Sequence, residues 1–151
     1  MAGCELMIGV VVEQCPCFSL GVAHRRSLRL YDEALLSLGL TVAQAHVIFA
    51  LYAQDGLSAR ALAMELQVDA ASLTPMLGRL EKRGLLRRCP DPGDRRAVRI
   101  CLEERAHRLR PSLEEALGRA ARRVSDLFTE DEYRILMTLL NRLGPSASAD
   151  Q

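Results

Sequence analysis

The sequence predicts a mainly α chain with one small β-hairpin, and three observations carry that expectation. Leu and Ala dominate an apolar fraction of 49%, with aromatics at only 4% and no Trp, a composition that favours helix. Apolar residues recur at helical spacing through most of the chain. One segment breaks that rhythm: Val98, Ile100 and Leu102 alternate with Arg99 and Cys101 behind a Pro/Gly/Asp turn, the period of a half-buried strand.

The elements follow in order. From Phe18 to Leu38, Leu20, Val22, Leu28, Leu30, Leu35 and Leu38 mark a first helix, which Gly39 ends. Thr41 is placed to cap a second, Ala-rich helix running to about Gln54. Asp55-Gly56 makes a turn, and Ser58 caps a short helix over Ala59–Leu66. Gln67-Val68 connects, and Asp69 caps a fourth helix that runs to about Arg83 and stops at Gly84. Leu85–Arg88 and Ala97–Leu102 form two strands around the turn Pro90-Asp91-Pro92-Gly93-Asp94. A long charged helix starts at Glu103, with a kink expected at Pro111. Thr129, with Glu132 three residues on, makes a capping box for a last helix ending near Gly144. This divides the chain into an N-terminal arm (1–16), N-terminal helices (17–55), a central module (56–102), C-terminal helices (103–144) and a flexible polar tail (145–151).

At 151 residues there is room for one ordinary domain, or for a small one plus long dimerisation helices. The net charge of +1 is unevenly placed: residues 58–101 carry nine Lys/Arg against five Asp/Glu, or +4. Positive charge confined to one module is expected when that module alone meets a polyanion. The apolar run Leu6–Val12 is too short to span a bilayer and lacks a basic leader, so a cytoplasmic protein without membrane contact is expected. That run reads as an ordered arm or as an upstream extension of the start site. Cys4, Cys15, Cys17, Cys89 and Cys101 are odd in number and irregularly spaced, which excludes a secreted disulfide framework. The sequence has no nucleophile-base-orienter set, no phosphate-binding Gly loop and no dense carboxylate cluster, so neither an enzyme nor a cofactor is expected.

Helix, short connection, helix and basic hairpin is the wiring of a winged helix-turn-helix, whose second helix enters the major groove of double-stranded DNA. Here that helix is Asp69–Arg83. Leu73, Leu77, Leu80 and Leu85 are spaced to bury one face, leaving Ala71, Ser72, Thr74, Pro75, Gly78 and Arg79 on the other. Small residues permit close approach, and Ser72, Thr74 and Arg79 can bond bases or phosphates. Pro75 removes a helical hydrogen bond, so a bend is expected there. At the wing tip Arg95 and Arg96, flanked by Arg87, Arg88 and Arg99, suit a narrow minor groove. Asp94 is placed to hold one guanidinium. Ser58 and Arg87 complete the expected DNA contacts.

The runs Val68-Asp69-Ala70-Ala71-Ser72-Leu73-Thr74-Pro75-Met76-Leu77, Leu80-Glu81-Lys82-Arg83-Gly84-Leu85 and Asp94-Arg95-Arg96-Ala97-Val98 resemble the MarR family of regulators. The resemblance covers Cys17 to Leu143. It implies a homodimer with intertwined N- and C-terminal dimerisation helices, one winged module per subunit, and repression at a pseudo-palindromic operator. Glu103-Glu104-Arg105-Ala106 departs from the family, which often has Thr and Gly there.

Ser72–Leu77 and Cys17-Phe18-Ser19-Leu20 are especially similar to the organic-hydroperoxide-sensing, OhrR-like branch. That similarity implies that Cys17 is the oxidised residue and that Tyr31 is one of two tyrosines holding it; the second falls on Val42. A helix N-terminus favours negative charge, and Cys17 sits near one. Cys15 is close enough to resolve a sulfenic acid at Cys17. Two other readings stand beside oxidation: the cysteines are inert small hydrophobes, or Cys15 and Cys17, with His24, hold a soft metal or metalloid. Many relatives respond instead to small phenolic ligands, and a thiol-dependent enzyme is the remaining alternative. Cys89 and Cys101 read as structural, and His46 and His107 as packing or surface residues.

Overall fold

The computed structural model describes residues 15–94 and 96–143. Residues 1–14 of the expected arm, with Cys4 and Leu6–Val12, together with Arg95, Gly144 and the tail 145–151, lie outside the described residues. In order, the elements are α1 (Pro16–Leu35) with a 3-10 turn (Leu36–Leu38), α2 (Val42–Ala53), β1 (Leu57–Ser58), α3 (Ala59–Leu66) and α4 (Ala70–Lys82). β2 (Leu86–Pro90), β3 (Val98–Leu102), α5 (Glu104–Ser125) and α6 (Glu130–Leu143) follow. Two compact units emerge: one spans Tyr31–Leu117, the other combines the described residues up to Leu30 with those from Gly118 onward.

The caps explain where the helices of the first unit begin and end. Gly39 adopts φ +63° and closes the 3-10 turn, with its N–H donating to the Leu36 carbonyl. Thr41 then starts α2 with a capping box: its hydroxyl accepts from the Gln44 N–H at 3.3 Å, and Gln44 Oε1 accepts from the Thr41 N–H at 3.1 Å. That bond accounts for Gln44 being buried. Asp32 Oδ1 takes the next free amide, of Val42, at 3.0 Å. Ala45, Val47, Ile48 and Leu51 of α2 are buried and pack with Leu62 of α3, the leucines of α4 and Ile100 in one apolar core. Leu73, Leu77, Leu80 and Leu85 are each 2% exposed or less, as their spacing predicts.

The sheet has one strand more than the hairpin read from sequence. β3 lies in the middle, antiparallel to both neighbours, in the order β1-β3-β2. β1 pairs Leu57 with Ile100 and Ser58 with Arg99, and β2 pairs Leu86 with Leu102 through to Pro90 with Val98. Asp55 Oδ1 accepts the Leu102 N–H at 2.9 Å, which ties the turn before β1 to the end of β3. Pro111 lies within α5, which continues through it to Ser125. Tyr52 joins α2 to α5: its hydroxyl donates to the Ala106 carbonyl, and the Arg110 guanidinium lies 4.9 Å above its ring.

In the second unit, Thr129 and Glu132 form the expected capping box of α6, with Glu132 Oε2 accepting the Thr129 N–H at 2.8 Å and the Thr129 hydroxyl accepting the Glu132 N–H at 3.3 Å. α6 has no buried residue. Ile135, Leu139 and Leu143, on one face at spacings of four, are 55%, 48% and 70% exposed. Among the described residues no single helix is long and apolar enough to cross a membrane.

Candidate nucleic-acid interface

The candidate interface lies within the Tyr31–Leu117 unit, on the outer face of α4 and on the β2–β3 wing. α3 braces α4 through a short connection. Ser58 caps α3, its hydroxyl accepting from the Ala61 N–H at 3.1 Å. Gln67 then turns the chain in the left-handed region, at φ 54°. Asp69 caps α4 by accepting the Ser72 N–H at 2.7 Å. The Ser72 N–H, then the Ser72 hydroxyl, hold the Asp69 carboxyl below its ordinary pKa.

The face opposite the buried leucines presents Ala71, Ser72, Thr74, Pro75 and Arg79, all exposed. Two of its hydroxyls already have acceptors. Ser72 Oγ donates to Asp69 Oδ2 at 2.8 Å, and Thr74 Oγ1 donates to the Ala70 carbonyl at 2.8 Å. Each oxygen keeps lone pairs that can accept a further hydrogen bond. Arg79 forms no ion pair with the described residues. Pro75 stands inside α4, where it deletes one bond of the helical ladder on this exposed face.

The wing is held by a carboxylate that the sequence reading did not single out. Asp91 Oδ2 binds Arg99 Nε at 2.6 Å, and Asp91 Oδ1 accepts the Gly93 N–H at 2.7 Å. The hydrogen bond from Arg99 is the main cause of the lowered Asp91 pKa, and Asp91 in turn raises that of Arg99. Arg99 also reaches the Gly56 carbonyl at 3.3 Å, joining the wing to the turn before β1. Arg88 pairs with Glu81 of α4 at 3.4 Å, and Arg87 with Glu103 at 3.1 Å. Three of the four described wing arginines are therefore engaged internally. Asp94 Oδ1 accepts the backbone N–H of Arg96 at 2.9 Å, a bond that shapes the turn. Arg96 itself is exposed, with no side-chain partner among the described residues.

Arg83 also escaped the sequence reading. It donates to the Leu38 carbonyl at 2.8 Å and to the Gly39 carbonyl, while its own carbonyl accepts from Arg105 at 2.9 Å. It locks the end of α4 against the α1–α2 junction. Gly39 is favoured by its positive φ, and a side chain there would also crowd the Arg83 guanidinium, at 3.1 Å.

The N-terminal cysteines lie apart from these residues in sequence. Pro16 opens α1, and the Cys15 carbonyl accepts the Ser19 N–H at 3.1 Å. Cys17 is exposed in the first turn and Cys15 is half-buried; both are free thiols. His24 is exposed further along α1, and Tyr31 is half-buried. Among the described residues no three His, Cys, Asp or Glu side chains gather as a metal site, so Cys15, Cys17 and His24 are not brought together as one.

A helix-turn-helix with an exposed second helix and an arginine-bearing three-stranded wing defines a winged-helix DNA-binding protein. Residues 40–98 match the MarR family. The chain is 30% identical over 128 residues to the HTH-type transcriptional regulator MgrA of Staphylococcus aureus, covering 84% of this chain and 86% of MgrA. It is 34% identical over 98 residues to the HTH-type transcriptional regulator TtmR of Methylorubrum extorquens, 65% of this chain but only half of TtmR. Among solved structures, a mutant MarR from E. coli complexed with operator DNA superposes with a TM-score of 0.78 at 28% identity, over 83% of this chain and 91% of that one. The chain belongs to the MarR family: it is a DNA-binding transcriptional regulator and not an enzyme.

Proposed function

We propose that the chain is a homodimeric repressor that reads a pseudo-palindromic operator and is released by oxidation of Cys17, as in the OhrR-like branch. The exposed face of α4 carries the DNA-reading part. Ser72, Thr74 and Arg79 meet base edges in the major groove, Ala71 and Pro75 allow close approach, and Arg96 and Arg95 at the wing tip meet the adjoining minor groove. Ser58 positions α3 through its cap, and Asp94 shapes the turn at Arg96. Arg87 stands at the wing base, where its bond to Glu103 leaves it a secondary contact.

The dimer is supported by α6, whose face of Ile135, Leu139 and Leu143 is uncovered in one chain. Burying such side chains contributes on the order of 1.5–3 kcal/mol each, so a second copy of the C-terminal helices is the covering partner. The redox reading is supported by the exposure of Cys17 at the first turn of α1, with Cys15 two residues away. An organic hydroperoxide oxidises Cys17 to a sulfenic acid and leaves as the alcohol. The Cys15 thiol then displaces hydroxide from that sulfur, giving a disulfide and water. The resemblance to that branch gives Tyr31 the role of hydrogen-bond donor to the oxidised sulfur.

A gel shift on the promoter of the chain's own gene tests this reading, with wild type, Cys15→Ser and Cys17→Ser, before and after cumene hydroperoxide. Release that dithiothreitol reverses and Cys17→Ser abolishes is expected. Binding indifferent to oxidant in all three proteins removes the redox step and leaves the repressor intact.

A further inference from the structure

The β2–β3 register places Arg87 opposite Cys101 and Cys89 opposite Arg99. Side chains alternate along a strand, so these four residues share one face of the wing, and Cys89 and Cys101 are diagonal neighbours on it. Flanking bonds from the Glu103 N–H to the Leu85 carbonyl (3.0 Å) and from the Asp91 N–H to the Ala97 carbonyl (3.1 Å) fix that register at both ends. On that face the Cys89 thiol is near enough to raise the pKa of Cys101. Arg87 Nη1 approaches Cys89 Sγ to 2.7 Å, setting a positive charge beside the pair. Both cysteines are half-buried and free, hence reachable.

Which chemistry suits two such sulfurs follows from their surroundings. Burial first, then the neighbouring Cys89 thiol, push the Cys101 thiol up to about 11, so Cys101 is a weak nucleophile on its own. A direct disulfide is disfavoured by spacing, because diagonal Cα atoms lie about 7–8 Å apart, beyond the usual disulfide range of about 4.4–6.8 Å. One bridging atom between the sulfurs supplies the missing reach. Among the described residues no third Cys, His, Asp or Glu joins the pair, which excludes the four-ligand site that zinc needs. We propose that the wing carries a two-thiol site, Cys89 with Cys101, for soft thiophilic acceptors that take two sulfur ligands, monosubstituted trivalent arsenicals being the class that fits. An arsine oxide condenses with both thiols: two S–H bonds and the As=O bond give way to two As–S bonds and one water. Arsenic stays trivalent, so no oxidant is consumed. The site is separate from Cys15 and Cys17 and does not depend on their oxidation.

The test uses full-length protein carrying Cys4→Ser, Cys15→Ser and Cys17→Ser, with phenylarsine oxide as the probe. Intact mass and thiol titration are expected to show one phenylarsenic per chain and loss of both remaining thiols. The adduct should survive excess 2-mercaptoethanol and be removed by 2,3-dimercaptopropanol. Adding Cys89→Ala or Cys101→Ala should raise the dissociation constant about 100-fold or more, the gain that linking two ligands supplies. Cys89→Ser and Cys101→Ser repeat the comparison without loss of volume, and circular dichroism checks each fold. Absence of an adduct, two arsenicals per chain, or unchanged affinity in the folded single-cysteine variants would overturn the proposal.

Discussion

Replacing Arg96 by Ala tests the proposed division between wing arginines that meet DNA and those that hold the wing. Arg96 has no side-chain partner among the described residues, whereas Arg88 is paired with Glu81 at 3.4 Å and Arg99 with Asp91 at 2.6 Å. Each phosphate neutralised by a cation contributes about −0.9 to the slope of log affinity against log salt. The proposed dimer offers two copies of Arg96, so Arg96→Ala should flatten the slope by about 1.8. Raising salt fourfold, from roughly 50 to 200 mM, should then cost the wild type about 12-fold more affinity than the variant. Arg88→Ala should change the slope by less than half as much. The assay is fluorescence anisotropy on an operator duplex at four or more salt concentrations. An unchanged slope for Arg96→Ala, or an equal change for Arg88→Ala, would refute this division of labour. A change of about 0.9 would mean that only one subunit places its wing on the DNA.

Other perturbations test the scaffold. Leu77 is 1% exposed, opposite the exposed face of α4, so Leu77→Ala should cost about 2–5 kcal/mol in urea unfolding, while Arg79→Ala should leave stability within about 0.5 kcal/mol. Asp69 has its pKa lowered from 3.8, so its stabilising bonds are present above about pH 4 and are lost as pH falls through the lower folded value. Asp69→Asn keeps a good cap without a titrating group, and should leave the melting temperature unchanged at pH 7 while reducing its drop below pH 4. Leu139→Glu places a charge in the uncovered face of α6, and sedimentation should shift from dimer to monomer at micromolar concentration.

Local rules were enough for much of this fold. Thr41, Ser58, Asp69 and Thr129 are caps because a small polar side chain precedes an apolar-periodic run, and each makes its cap bond. The spacing of Leu73, Leu77, Leu80 and Leu85 located the buried face of α4, and thus its exposed face, without any tertiary information. What escaped depends on register or long-range contact. β1 is only two residues long, too short to show a period. The bonds from Arg83 to the Leu38 and Gly39 carbonyls span more than forty positions. Asp91 and Arg99 face one another only once the hairpin closes, and the Cys89–Cys101 diagonal exists only in the observed pairing. An excess of wing arginines is visible in the sequence, but which of them bind carboxylates is not.

The central claim, that α4 reads the major groove from both halves of a dimer, is tested most directly by dimethyl sulfate protection, which reports on guanine N7 in that groove. The account predicts two protected clusters related by a dyad, with centres about one helical turn or a multiple apart, and loss of protection at one symmetric position in Arg79→Ala. A stable complex with every guanine N7 equally reactive would contradict it.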